Sequence, residues 1–286
     1  MIIGLPSGIG DISWALSKLI NSGEHEYEIA DGWPQRSREY VEMVPGVKSA
    51  QYGDFAYDDI LAFSHTQGFL DPGVRWEEIA KRGYERILIE PNRHLEMGRP
   101  LKYWLPDLET SYHYEVNIPS ERVKQATDKL AGLPRPLICV SAASYRGSEA
   151  WKTWSSDSWS EFLALVRGEY GLDYRNILLV GGFWDDLTDA LGEEGYPCFV
   201  GKTHIGTMLS ILQQTEYYVG FSSGLGIMRT VFKKNAFMLW PDFQVALSTS
   251  WAPPYMLESG EYVAVLWREP REVFKRFKVW MKNNGC

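Results

Sequence analysis

The sequence predicts an α/β protein of two domains, each a mostly parallel sheet covered by helices. Three observations predict it. Short apolar runs of strand length alternate with stretches of helical spacing along the whole chain. Gly- and Ser-rich turns follow several of those runs directly. A stiff, Pro-punctuated stretch, Gly132-Leu133-Pro134-Arg135-Pro136, interrupts the pattern near the middle, and a second alternating series starts after it. Strands that alternate with helices imply parallel sheets buried on both faces. A chain of 286 residues is long enough for two domains of ordinary size.

The elements follow in order. Met1 to Leu5 is an apolar run that reads as a buried strand, broken at Pro6-Ser7-Gly8-Ile9-Gly10-Asp11. Ile12, Ala15, Leu16, Leu19 and Ile20 then repeat at helical spacing. Further strands are expected at Tyr27 to Ala30, Ile60 to Phe63 and Ile87 to Ile89, with a helix at Trp76 to Arg82. Glu90 to Tyr114 is long, aromatic and polar, with Pro91, Pro100 and Pro106. Such a stretch is either a functional loop or a surface cover packed by its own aromatics. Ser120 to Leu130 reads as a helix, with Ser120 as a candidate N-cap.

After the Pro-rich stretch, strands are expected at about Leu137 to Ser141, Ile177 to Val180, Cys198 to Val200, Tyr217 to Phe221, Ala236 to Leu239 and Val263 to Leu266. Helices include Ser158 to Gly168 and Ile205 to Gln214, and the chain closes in a helix over about 271–282. The expectation is two Rossmann-like domains, 1–132 and 133–286, facing a central cleft, with the last helix free to pack back on the first domain.

Composition narrows the function classes. The charge of −8 argues against a long basic stripe for duplex nucleic acid. Cys139, Cys198 and Cys286 lack metal-ligand spacing, and an odd count without a signal-like N-terminus fits a reducing cytoplasm. No apolar segment has membrane-spanning length. Twelve Trp are unusual; they serve either core packing or grooves where rings and sugars stack.

Several turns could carry chemistry. Gly8-Ile9-Gly10-Asp11 is not a dinucleotide fingerprint, because Ser13 stands where a third glycine is required. It still lets a substrate approach the backbone at a helix N-terminus. Asp11 is either an N-terminal capping carboxylate or a general base. Gly201-Lys202-Thr203 imitates the end of a phosphate-binding P-loop, but Tyr196 occupies the position of its first glycine. Lys152 follows the small, polar run Ser141 to Arg146, which includes Ser144. Hydroxyls, backbone N–H groups and a lysine past a strand's carboxyl end suit a diphosphate. Gly220-Phe221-Ser222-Ser223-Gly224-Leu225-Gly226 is a strand-to-helix turn that offers N–H groups to an anion. Gly181-Gly182 leads to Asp185 and Asp186, carboxylates suited to a ribose. No Asp-x-Asp pair is present to hold a metal-bound diphosphate.

The order of these elements resembles the heptosyltransferase family, glycosyltransferase family 9. It runs Gly-Ile-Gly-Asp, Lys-x-Trp at Lys152, a Gly-Gly strand end, Gly-Lys-Thr, then Val-Gly-Phe-Ser-Ser-Gly-Leu. The resemblance implies the glycosyltransferase B fold and an enzyme that inverts the anomeric centre without a metal or other cofactor. The nucleotide sugar is a co-substrate. It makes Asp11 the catalytic base and Lys152 the donor-phosphate lysine. Asp185 or Asp186 would hold the ribose and Lys202-Thr203-His204 the nucleobase. Ser144, Thr203, Ser222, Ser223, Gly224 and Leu225 would complete the donor site. Gly8, Gly10, Arg93, His94, Arg99 and Trp104 would meet the acceptor. At the family's Asp-(Ser/Thr)-Gly-(Leu/Pro)-x-His motif this chain has Ser222 for the acid and Ile227 for the histidine.

The chain is shorter than typical members, as in relatives from tailed-phage genomes. Some phage glycosyltransferases act on hydroxymethylated DNA bases. A viral protein in the host cytoplasm with a modified DNA base as acceptor is one expectation. Transfer to a lipopolysaccharide or other surface glycan is the alternative, and a non-catalytic nucleotide- or glycan-binding protein is a third.

Overall fold

Parallel strands flanked by helices recur twice in the computed structural model. It describes residues 1–30, 37–53, 55, 74–89, 91, 101–143, 154–182, 185–221, 223–240, 252–266 and 268–285. The chain divides into two compact units, Met1–Pro119 and Ser120–Cys286.

In the first unit the order is β1 (Ile2–Leu5), α1 (Ile9–Leu19), β2 (His25–Ala30), α2 (Ser37–Glu42), β3 (Val47–Gly53), α3 (Trp76–Lys81) and β4 (Arg86–Leu88). The sheet runs β3-β2-β1-β4, all parallel. Ile3 and Leu5 of β1 are wholly buried, as are Ile12, Ala15, Leu16 and Leu19 of α1, so the apolar periodicity reads directly as the core face. Gly4 is where β1 and β4 come closest: a Cβ there would lie 2.2 Å from Leu88 Cδ2.

β3 is an edge strand whose Lys48, Ser49 and Gln51 face solvent. It has no apolar run to betray it, and it was not expected from the sequence. The strand expected at Ile60 to Phe63 lies outside the described residues.

In the second unit the order is α4 (Ser120–Leu130), β5 (Ile138–Ser141), α5 (Ser156–Tyr170), β6 (Ile177–Leu179), α6 (Asp186–Gly192), α7 (Ile205–Gln214), β7 (Tyr217–Phe221), α8 (Gly224–Val231), β8 (Ala236–Trp240), α9 (Pro254–Ser259), β9 (Tyr262–Leu266) and α10 (Pro270–Asn283). The parallel sheet runs β6-β5-β7-β8-β9. The strand expected at Cys198 to Val200 is reduced to one parallel bridge, Leu179 with Cys198. With that bridge as a stub outside β6, the order becomes the doubly wound 3-2-1-4-5-6. Aromatic rings fill the core: Trp159, Phe162, Phe237, Phe277 and Trp280 are at most 2% exposed, with centroids 5.3–6.0 Å apart in several edge-on and tilted pairs.

The units divide before α4, at Pro119–Ser120, where the sequence reading placed the division at 132. α4 belongs with the second unit, because Gln125 accepts a hydrogen bond from Thr207 (2.8 Å) and Thr127 donates to Gln214 (3.1 Å), both on α7. The Pro-rich stretch expected to join the domains therefore lies inside the second unit. Asn176 Nδ2 donates there to Pro134 O and Pro136 O, and Arg135 pairs with Glu216 at 2.9 Å. The closing helix buries Val273, Phe277, Trp280 and Met281 in the second unit's own core.

Arg229 of α8 pins this unit internally. It is fully buried and donates to Leu212 O, Thr215 O, Glu216 O, Asn235 O and Asn235 Oδ1. Burial lowers its pKa to about 10. Its bonds satisfy carbonyls where α7 ends.

Candidate active site

In an open parallel sheet, ligands bind beyond the carboxyl ends of the strands where the strand order reverses direction. In the first unit that point lies between β1 and β4, and the Gly8–Asp11 turn leaves β1 there. In the second it lies between β5 and β7. β5 and β7 end there, and the Ser223–Gly226 turn follows β7; the Ser144–Lys152 segment that follows β5 in sequence lies outside the described residues.

The first turn is built around a carboxylate and the glycine under it. Gly8 is the N-cap of α1, extended at φ −75 and ψ 126, and Asp11 stands in the first helical turn. A Cβ at Gly8 would lie 2.7 Å from Asp11 Oδ2. Any larger residue at 8 would push the carboxylate aside. Gly8, Gly10 and Asp11 are half-buried. Ser13, where a dinucleotide fold has glycine, is buried and bonds to Ile9 O (2.6 Å) and Tyr40 OH (2.9 Å).

The other expected acceptor residues divide into two groups. Arg93, His94 and Arg99 lie outside the described residues, as does Glu90. Trp104 does not present its ring to a ligand: it is 5% exposed. The described part of its segment, 101–114, is a cover over α1. Lys18 Nζ reaches Leu105 O and Leu108 O, Asn21 donates to Glu109 O, and Ser111 N donates to Ser17 O. Asp107 caps α3 by accepting from Trp76 N (2.7 Å) and Glu77 N (2.9 Å). Leu105 sits at φ +46, strained for a residue with a side chain, and Lys18 holds its carbonyl. The exposed aromatic here is Tyr103 at 51%, with Lys102 Nζ 4.9 Å from its ring centroid.

In the second unit Ser144, Lys152 and Ser222 lie outside the described residues. Ser223 is the N-cap of α8, with Gly224 and Leu225 opening the helix. Beneath this turn lies a tyrosine that sequence reasoning missed. Tyr218 is fully buried, and its OH is 3.2 Å from Ser223 Oγ. Burial pushes its phenol up to about 12. Cβ atoms at Gly220 and Gly226 would lie 2.7 Å from Tyr218 OH and 2.3 Å from Met238 Cε. These two glycines let the turn close over the tyrosine and the methionine. The signal was present in the alternation of β7, which puts Tyr218 and Gly220 on one face. Ile227, at the family's histidine position, is 3% exposed.

Asp185 is a helix cap. It is 2% exposed and its Oδ1 accepts from Thr188 N at 3.0 Å. A Cβ at Gly181 would lie 2.7 Å from its other oxygen. The Asp186 side chain lies outside the described residues. Gly201 N donates to Gly181 O (3.2 Å), which joins the Gly-Gly turn to Lys202-Thr203-His204. His204 is the N-cap of α7 without a side-chain cap bond. The Thr203 hydroxyl oxygen is buried with no hydrogen-bond partner, an arrangement that costs energy unless something else satisfies it. Among the described residues no cluster of three or more His, Cys, Asp or Glu stands where a metal ion fits. No helix among them is long and apolar enough to cross a membrane.

No family model matches the chain, and neither does any curated protein sequence. Solved structures do match it over nearly its whole length. The glycosyl transferase family 9 protein from Veillonella parvula aligns with a TM-score of 0.66 and 13% identity, over 98% of this chain and 96% of that one. The ADP-heptose lipopolysaccharide heptosyltransferase II of E. coli gives 0.64 and 13%, over 100% and 99%. The E. coli heptosyltransferase WaaC, solved with ADP, gives 0.57 and 13% over the whole of both chains. The chain has the glycosyltransferase B fold, shared end to end with these family 9 structures.

Proposed function

We propose that this protein is a nucleotide-sugar-dependent glycosyltransferase that moves a sugar to an acceptor hydroxyl with inversion and without a metal. The observation that carries the reading is the place of the motifs. The Gly-Ile-Gly-Asp turn leaves the first sheet at its reversal point, and the turn at Ser223–Leu225 follows β7 at the reversal point of the second. A switch point in each unit, on this fold, suits one substrate on each unit.

The donor is assigned to the second unit. Its diphosphate lies against Lys152 and the N-terminal N–H groups of α8, where the helix dipole favours an anion. The unpartnered Thr203 hydroxyl supports a nucleobase at 202–204. With Asp185 occupied as a cap, the ribose falls to Asp186. The acceptor is assigned to the first unit, with Asp11 taking the hydroxyl proton as the oxygen attacks the anomeric carbon. Cationic and N–H groups stabilise the departing diphosphate. One of the similar structures is an ADP-heptose lipopolysaccharide heptosyltransferase, which supports an ADP-linked sugar as the first donor to try.

Two acceptors fit this chemistry, a surface glycan and a hydroxymethylated DNA base of a phage. Tyr103 beside Lys102 supports the second, since a flipped base needs a ring to stack on and a cation for its phosphate. Binding of hydroxymethylated DNA must then weaken steeply with salt. Ile227, buried where the family has histidine, favours a second reading in which the protein binds a nucleotide without turning it over.

Calorimetry against a panel of nucleotide sugars tests the proposal. Lys152→Ala is expected to weaken the tightest donor by about 1.5–3 kcal/mol, the range for a hydrogen bond to a charged group. Unchanged affinity removes Lys152 from the site. Tight binding with no consumption across glycan and DNA acceptors favours the non-catalytic reading.

A further inference from the structure

Ser223 is a helix N-cap that does not cap. A serine there ordinarily turns its hydroxyl to accept from the N–H of the second or third helical residue. Other Ser and Asp N-caps in this chain behave so. Ser155 accepts from Ser158 N, Asp173 from Arg175 N and Asp185 from Thr188 N. Ser223 makes no side-chain cap bond although its backbone is extended, φ −148 and ψ 165, as a cap requires.

Its hydroxyl is held instead by Tyr218, at 3.2 Å. Tyr218 is held in place: it is fully buried and covered by the Cβ-free Gly220 and Gly226. The consequence falls on the backbone. The first N–H of α8 to find a partner belongs to Ile227, which donates to Ser223 O at 3.2 Å. Among the described residues those of Gly224, Leu225 and Gly226 have none.

We infer that Tyr218 is a positioning residue that holds the Ser223 hydroxyl away from the first turn of α8, keeping the Leu225 and Gly226 N–H groups open for the donor's phosphates. The inference rests on the donor assignment above and adds a residue to it. Without the phenol the serine hydroxyl rotates to its ordinary cap position and competes with phosphate for the same N–H groups. The tyrosine touches no substrate; it acts only through Ser223.

The test is a double-mutant cycle of Tyr218→Phe and Ser223→Ala, read in the amide spectrum of the full-length protein. Exchange of the Leu225 and Gly226 amides is measured first, and their shifts are then followed as inorganic pyrophosphate is added. In the Ser223 background, Tyr218→Phe is expected to slow amide exchange. It is also expected to weaken pyrophosphate about fivefold, the competition set by a serine cap of ordinary strength. In the Ser223→Ala background, where no hydroxyl remains to rotate, Tyr218→Phe is expected to change neither. Ser223→Ala alone supplies the reference affinity against which the second comparison is read. A purely structural role for Tyr218 would give the same effect in both backgrounds and overturns the inference, as does a Tyr218→Phe protein indistinguishable from wild type. If the exchange pattern follows the expectation but pyrophosphate never shifts these amides, the hydroxyl placement stands and the donor assignment fails.

Discussion

Lys18 of α1 makes the stability of the first unit depend on pH in an unusual direction. It is 1% exposed and donates to Leu105 O at 3.3 Å and Leu108 O at 2.7 Å. Burial lowers its pKa from 10.5 to about 8, against a weaker opposing pull from Asp107. Unfolded, the same lysine keeps its proton to about 10.5. The folded pKa is thus the lower one. Below about pH 8 the full cost of burying the charge is present. Between about 8 and 10.5 the unfolded state binds more protons, so stability rises with pH. The interval corresponds to about 3 kcal/mol, of which about 2 kcal/mol is regained between pH 8 and 9.5. Lys18→Met removes this titration and leaves Leu108 O unsatisfied, while Leu105 O keeps the Leu108 N–H at 3.0 Å; the loss of about 1–3 kcal/mol does not depend on pH. Tyr27, Tyr40 and Tyr114, whose phenols burial pushes up, lower stability at still higher pH in both proteins and cancel in the difference. Urea unfolding at several pH values, followed by the fluorescence of buried Trp14, Trp76 and Trp104, gives the comparison. The advantage of wild type over Lys18→Met should widen by about 2 kcal/mol from pH 8 to 9.5. An advantage that is the same at pH 7 and 9.5 would refute the reasoning.

Other expectations follow from the second unit. Ile227→His places the family's residue at a site only 3% exposed; it should lower the melting temperature, at a cost of about 2–4 kcal/mol, and add no turnover, so faster turnover at unchanged stability would contradict the packing argument. Asp185→Asn keeps the cap and should leave donor affinity unchanged in calorimetry, whereas Asp186→Asn should weaken it about tenfold; the opposite order would put the ribose on Asp185. Turnover should survive EDTA, and a complete loss restored by Mn²⁺ or Mg²⁺ would contradict the metal-free mechanism.

The parts of this fold visible in the sequence were those that bury apolar side chains with a regular period. β1, α4, β7 and β8 lie within a residue or two of where their periodicity placed them, and α1 starts three residues before its first periodic residue, Ile12. What escaped was set by tertiary context. β3 is an edge strand with polar residues on its exposed side, so no apolar run marks it. Cys198 to Val200 has the composition of a strand but pairs through a single bridge. For Glu90 to Tyr114 the aromatic, polar composition left a functional loop and a surface cover both open, and the described contacts of 101–114 are those of a cover. Lys18 reaches its carbonyls from 87 and 90 residues away in sequence, a separation no local pattern can show. The same holds within the site. Asp11 and the Ser223 turn were visible as Gly-rich strand ends. The burial of Trp104, the capping role of Asp185 and the hold of Tyr218 on Ser223 depend on neighbours brought in by the fold.

Asp11 carries the central claim, and Asp11→Asn tests it most directly. Asparagine keeps the size of the side chain lying over Gly8, the N-cap of α1, but it cannot take a proton from the acceptor. A positioned general base contributes about 10²–10⁴-fold in rate. The measurement is turnover of the best nucleotide sugar, with slow donor hydrolysis as the readout until an acceptor is in hand, beside melting temperature and donor affinity. With Asp11 as the base, stability and affinity hold while turnover falls at least about a hundredfold. Turnover near the wild-type rate would show that Asp11 serves only the first turn of α1, whose N-cap is Gly8, and that the proton leaves by another group.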